Sequence, residues 1–382
     1  MLPKRICIAL ITLVLCGLAA TAQPPPAHAA AGMFVGIYDP VQPLIEPDTT
    51  FPLLVRLRVQ VIRIGLDWGA YVAKKGRPAD PTDPADPAYN WDKYDQLVQN
   101  AAKDKIQVLF TIYGTPRWAN GAKKSLNRAP RQMLFLKQFA YAAAKRYSGS
   151  FKAEDGTVLP AVRKWLAWNE PNNPVFLAPQ WAKVGKGKYI PVAARTYAQI
   201  CTAVWSGVHA TYLPKEVVAC GATAPRGNDS PRSRRPSISP LAFLAALKRY
   251  GLMHFDVYAH HPYYGRPAET PTTRPTAKNV VTLANIGDLT KLLSKLYGNK
   301  KLWITEYGYQ TNPPDRLFGV SWANQARYLT QAYAIARKNP RITMMLWFLL
   351  RDEQRLSGWQ SGLFTASGTK KPSYDAFRRL PH

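Results

Sequence analysis

Arg163-Lys164-Trp165-Leu166-Ala167-Trp168-Asn169-Glu170-Pro171-Asn172 is a short β-rich run that stops on a carboxylate and a proline. Seven other runs share its character, at residues 33–39, 59–68, 106–115, 216–223, 254–261, 302–307 and 342–349. Helical patterns fill the intervals. Tyr94, Leu97, Val98 and Ala101 recur at i, i+3, i+4 and i+7 behind Asp92, which reads as a helix cap. Residues 134–147, 196–209, 241–250, 289–297 and 324–337 repeat the pattern, and a weaker first helix falls near 50–57. Strands alternating with helices imply a parallel sheet. A count of eight at even spacing implies α/β architecture closed into a single (β/α)8 TIM barrel. No Gly-x-Gly-x-x-Gly follows the first run, which speaks against a dinucleotide fold. Pro-rich stretches at 78–87, 225–240 and 262–275 all follow strands. They read as long βα loops on the carboxyl face, where barrel active sites lie.

The chain has 382 residues and a net charge of +28, and 47% of it is apolar. That apolar share supports a large core and excludes disorder as the main state. Four cysteines with no Cys-x-x-Cys pair exclude both a disulfide-built scaffold and a thiolate zinc site. No metal or cofactor is indicated. Lys4 and Arg5 precede the uncharged run 6–22, and Ala27-His28-Ala29 follows as a small-x-small cleavage site. Residues 1–29 therefore read as a signal peptide cleaved near 29–31, leaving 32–382 as one exported TIM-barrel domain. A membrane anchor is the competing reading, but the run is at the short limit for a span and prolines follow it. Leu15 before Cys16 is not the small residue that lipoprotein modification needs. Of the remaining cysteines, Cys201 lies on the fourth helix and Cys220 on the fifth strand, at similar heights on neighbouring elements. They pair as a disulfide or stay as two buried thiols, and the sequence leaves both open.

Two carboxylates carry the chemistry. Glu170 ends strand four, and Glu306 ends strand seven within Trp303-Ile304-Thr305-Glu306-Tyr307-Gly308. Strands four and seven lie across a barrel of eight, so both side chains can enter one cleft. Facing carboxylates, one protonated and one ionised, are the minimum machinery for breaking a glycosidic bond. Repulsion and unequal burial are what separate their proton affinities.

Asn169-Glu170-Pro171 on strand four with Glu306 on strand seven resembles glycoside hydrolase clan A over the whole mature chain. The resemblance implies retaining hydrolysis of β-O-glycosides, with Glu170 as acid/base and Glu306 as nucleophile. It also implies that Arg63 on strand two hydrogen-bonds the nucleophile and that Asn169 holds the sugar 2-hydroxyl. His261-Pro262-Tyr263 resembles the His-x-Tyr of family 5, whose Tyr contacts the nucleophile, and Trp347 on strand eight resembles the aromatic platform under the sugar. Family 5 usually carries a His after strand three, where this chain has Tyr113-Gly114. Thr115-Pro116-Arg117-Trp118-Ala119 is closer to family 39 and to bacterial exopolysaccharide glycosidases. Trp118 and Trp68 are candidate sugar-stacking rings, whereas His260 reads as a structural residue with its hydrogen bonds met. The segment from Ser361 to Phe377 resembles the closing part of such barrels.

Two other function classes compete. A carbohydrate-binding barrel without catalysis would not need both glutamates. A nucleic-acid binder would use basic residues with interleaved aromatics, but Lys and Arg are scattered except at 226–235, and the leader points outward. The expected partner is an oligo- or polysaccharide. Arg226, Arg232, Arg234 and Arg235 after strand five would attract an anionic one; ordinary solvated charge is the plainer reading of the same residues. Oligomeric state, linkage and sugar are not legible.

Overall fold

The computed structural model describes residues 32–381. The expected leader at 1–29 and its cleavage site lie outside the described residues. Eight parallel strands close a barrel: β1 (Phe34–Tyr38), β2 (Val61–Asp67), β3 (Gln107–Tyr113), β4 (Lys164–Ala167), β5 (Val217–Thr223), β6 (Val257–His260), β7 (Lys301–Tyr307) and β8 (Ile342–Phe348). Each pairs with its neighbours in chain order, and β8 closes on β1 through Phe34 against Met344. Among the described residues a main helix follows each strand: α1 (Pro47–Arg56), preceded by a short helical turn at Gln42–Ile45, α2 (Asp92–Lys103), α3 (Met133–Arg146), α4 (Val192–His209), α5 (Pro240–Arg249), α6 (Ile286–Tyr297), α7 (Trp322–Lys338) and α8 (Pro372–Arg378). A small antiparallel hairpin, Ala182–Gly185 with Lys188–Ile190, decorates the loop after β4. Among the described residues no helix is long and apolar enough to cross a membrane.

Period-two alternation divides the barrel residues into two cores. Val61, Leu109, Leu166, Ala219, Trp303, Met344 and Leu346 fill the barrel interior. Ile62, Ile64, Phe110, Trp165, Ile304, Met345 and Trp347 face the helices. The helices meet that outer layer with their apolar stripes; α2 buries Tyr94, Leu97, Val98 and Ala101, as its spacing predicts. Asp92 is not the cap: Trp91 occupies that position, and Asp92 stands in the first turn, where its charge suits the helix dipole.

Trp347 corrects the sequence reading. It is fully buried on the helix side, and its indole N–H donates to the Ser361 carbonyl at 2.9 Å. It is one residue out of step with the inward set, because a shift of one position along a strand moves a side chain to the other face. Phe348, the next residue, is the one that reaches the carboxyl-end cleft. Trp68 is likewise core, stacked on Phe139 at 5.3 Å.

Cys201 on α4 and Cys220 on β5 are joined as a disulfide, with Cα atoms 5.9 Å apart. It staples the helix layer to the sheet across 19 residues. Closing a loop of that length stabilises the fold by about 3 kcal/mol. Cys201 and Cys220 should therefore resist alkylation in the native protein, as mass spectrometry of their peptides would show. Replacing both cysteines by alanine should lower denaturant stability by about 3 kcal/mol; unchanged stability would remove the staple's role.

Candidate active site

The residues around Glu170 begin with backbone strain. Trp168 and Glu170 both adopt left-handed φ values, +66° and +37°. Non-glycine residues persist there only where their surroundings over-determine the conformation. The indole N–H of Trp168 donates to the Phe176 carbonyl at 2.7 Å, and the Glu170 N–H donates to the Ala222 carbonyl at 3.0 Å. Ala222 is itself at φ +45°, in the β5 irregularity between Gly221 and Thr223. The strained turn lifts the Glu170 carboxyl into the cleft.

Arg63 stands one inward position above Val61, completely buried. Its guanidinium is a hub. Nε donates to Thr111 Oγ1 at 2.8 Å, Nη1 to the Thr305 carbonyl at 3.2 Å and to Glu306 Oε1 at 2.6 Å, and Nη2 to Asn169 Oδ1 at 2.6 Å. The Tyr38 ring lies against its face, 4.1 Å from ring centre to Cζ. Because a guanidinium only donates, the Asn169 atom beside it is the carbonyl oxygen. The amide NH2 of Asn169 is therefore turned toward the cavity that this residue lines.

The Tyr263 hydroxyl donates to the second oxygen of Glu306 at 3.1 Å. His261 joins the two glutamates: Nδ1 lies 3.1 Å from Glu170 Oε1 and 3.6 Å from Glu306 Oε1, while Nε2 faces Thr305 Oγ1 at 2.9 Å and Arg63 Nη1 at 3.4 Å. Burial, with the Arg63 charge beside it, pushes His261 down to about 3, so its imidazole is neutral at working pH. Facing the donor-only Arg63, Nε2 acts as acceptor, which puts the ring proton on Nδ1, toward the carboxylates. His260 is structural, as its sequence position suggests, bonded to Thr223 Oγ1 at 2.8 Å and to the Val281 carbonyl at 3.0 Å.

Glu170 is pushed up to about 7 by burial, against the pull of the Asn173 hydrogen bond and the Arg63 charge. Asn173 Nδ2 donates to Glu170 Oε2 at 3.0 Å. Ligand atoms of Glu170, His261 and Glu306 all lie within 4.8 Å of one another. That triangle has the donor set of a metal site. Yet the Glu306 oxygens are already held by Arg63 and Tyr263, and a divalent cation would sit beside a buried guanidinium. The donor set fits acid–base chemistry better than metal binding.

These groups open into a cavity of about 600 Å³. The structure gathers Asn169, Glu170, Tyr263 and Glu306 on its wall, with Arg63 and His261 directly behind. It does not bring Trp118 or Trp347 there. Trp118 packs edge-on against Trp68, donates to the Ala73 carbonyl at 3.1 Å and borders a separate hollow. The aromatic wall is instead Phe348 and Trp359, whose rings meet at 5.3 Å, with Trp359 5.1 Å from Tyr263. Asn173 and Trp359 sit in loops without periodicity and were not singled out in the sequence. Asn173 was within reach of the motif, three residues past Glu170.

Solved structures share this barrel. A family 39 glycoside hydrolase from the gut symbiont Bacteroides cellulosilyticus WH2 matches with a TM-score of 0.62 at 20% identity, over 92% of this chain and 63% of its own. A glucosidase from Croceicoccus marinus matches at 0.64 and 16% identity, over 92% of this chain and 67% of its own. A fungal β-1,4-galactanase matches at 0.59 and 15% identity, over 92% of this chain and all of its own. These neighbours are TIM-barrel glycoside hydrolases. The chain spans less than two thirds of the family 39 enzyme, and at such identities the likeness is one of fold. No family model and no curated protein matches the chain.

Two outcomes follow from the geometry. By 13C NMR of labelled glutamate, the Glu170 carboxyl should titrate near 7, and Asn173→Ala should move it higher, because the lost hydrogen bond favours the ionised form. Trp347→Phe should lower stability by about 1 kcal/mol in denaturant unfolding, because the Ser361 carbonyl loses its buried donor. Trp359→Ala, on the cavity wall, should cost less.

Proposed function

We propose that the chain is an exported β-glycosidase that works with retention through two glutamates. The observation that carries this reading is the unequal treatment of Glu170 and Glu306 across less than 4.8 Å of cavity. Glu306 accepts from a buried guanidinium and a phenol on its two oxygens, which fix its orientation. Glu170 is met only by neutral groups and is proton-rich near neutrality. Glu306 then attacks the anomeric carbon while Glu170 gives its proton to the departing oxygen. The glycosyl ester on Glu306 is next opened by water, from which Glu170 takes a proton. Two displacements restore the starting configuration. Retaining enzymes hold their carboxyl groups about 5 to 5.5 Å apart, whereas inversion needs about 6.5 to 9.5 Å to admit a water. The close approach here supports retention. The Asn169 amide is oriented to meet a sugar hydroxyl, and the disulfide supports an oxidising compartment.

The experiment is proton NMR during hydrolysis of an aryl β-glycoside panel. A β-anomer released first is expected; an α-anomer first would overturn the role of Glu306. Glu306→Gln should abolish turnover, since an amide forms no ester. Glu170→Ala should spare substrates with good leaving groups and be rescued by azide. The acid must be protonated to act, so kcat/KM for poor leaving groups should fall about tenfold per pH unit above about 7. A profile flat to pH 9 would remove Glu170 from that role.

A further inference from the structure

The cleft has two unlike halves. Tyr263, Glu306, Phe348 and Trp359 form the side of the nucleophile. Asn173, Pro174 and Phe176, from the loop that carries Glu170, form the other side with Arg226, Arg235 and Ser237 from the loop after β5. A general acid delivers its proton to the leaving oxygen, so the chain beside and beyond Glu170 borders the unit that leaves. Resting on the glycosidase reading above, we infer that this half selects a leaving sugar that carries a carboxylate, held by Arg235 with Arg226 adding charge to the same wall.

The loop is built to hold these two side chains. Asn172 locks both of its ends. The Asn172 Nδ2 donates to the Ala224 carbonyl at 3.1 Å and to the Ile238 carbonyl at 2.9 Å, and Oδ1 accepts from the Ala224 N–H at 2.8 Å. Gly227 lies directly against the Ile238 backbone, where a Cβ would collide. Asn228 shapes the tip by donating to the Arg235 carbonyl at 2.9 Å and accepting from the Ser237 N–H at 3.0 Å. Arg226 donates to the Tyr264 carbonyl at 3.0 Å and pairs with Glu269 at 3.6 Å, lying across Gly265, where a side chain would collide with its guanidinium. Arg235 is exposed on the cavity wall, and among the described residues no carboxylate forms an ion pair with it.

Charge decides the rest. The cavity already contains Glu170 and Glu306, so an anionic unit enters only where cations offset it. Arg63 is buried and occupied by Glu306 and Asn169. Arg226 is engaged by Glu269 at 3.6 Å, so Arg235, whose planar fork matches a carboxylate, must serve the leaving half, with Arg226 adding its charge to the same wall. Arg232 belongs to the same loop but lies over the Tyr189 ring at 5.9 Å and does not line the cavity. It is the internal control for general basicity.

The test is calorimetric binding of β-1,4-linked disaccharides whose reducing unit is either glucose or glucuronate, with glucose, galactose, mannose or xylose at the other end. For at least one pair the glucuronate form should bind about tenfold more tightly, the worth of one charge-assisted hydrogen bond. Arg235→Ala should reduce that preference to about twofold, and 300 mM salt should weaken it. Arg232→Ala should leave it intact. No preference in any pair, or a preference that survives Arg235→Ala, would overturn the inference. Equal loss in Arg232→Ala would also overturn it, since overall charge would then be the cause. Aryl β-glycosides release no sugar as leaving group, so their hydrolysis reports on the glycosidase reading separately.

Discussion

A cation with no access to water governs this site. Arg63 is wholly buried at the point where the apolar filling of the barrel gives way to the cleft. A buried charge is tolerated only when paired and fully hydrogen-bonded. The side chain meets that demand by drawing on β1, β3, β4 and β7 together: the Tyr38 ring, Thr111, Asn169 and Glu306. The need of one guanidinium for partners therefore fixes the relative placement of groups that lie far apart in the chain. Preorganisation of this kind is what electrostatic catalysis requires.

The backbone at the strand ends is tuned to the same purpose. Left-handed φ values at Trp168, Glu170, Ala222 and Leu349 fall at the carboxyl ends of β4, β5 and β8. Each such conformation costs about 1–3 kcal/mol. The cost is met by contacts already in place, such as the Glu170 N–H on the Ala222 carbonyl and the Leu349 N–H on the Tyr38 carbonyl. The rigid barrel below carries the strain, and the loops above are free to vary with substrate.

Much of this was legible in the chain. All eight strands show as apolar β-rich runs because a parallel strand is buried on both faces, and such runs need no tertiary knowledge to be seen. That Arg63, Asn169, Glu170, His261 and Glu306 gather in one place was legible because each lies within a barrel strand or just past its end, and Tyr263 follows His261 by two residues. Trp347 failed on phase. The sequence shows where β8 ends but not which of Trp347 and Phe348 faces inward, and the pleat turns that single step into opposite faces. Trp118 failed because loop course is set by distant packing, here against Trp68 and Phe135. Trp359 was missed for the same reason. The cysteine pair was half legible: height along the barrel followed from helix and strand rise, but facing required the structure.

The two glutamates differ little in burial, since both line one cavity behind the same aromatic wall. They differ in which donors each one meets. Moving a carboxyl group out of water raises its hold on a proton. Glu306 meets a full positive charge at 2.6 Å. At Glu170 the same cation is farther away, and the nearest groups are a neutral imidazole and an amide, so desolvation prevails and the proton stays. The neutrality of His261 matters here. A charged imidazole 3.1 Å from Glu170 would stabilise its carboxylate and weaken its hold on the proton. Arg63 prevents this as well, because its charge beside Nε2 helps keep that ring unprotonated. One buried cation thus acts twice, by its contact with Glu306 and through His261 on Glu170.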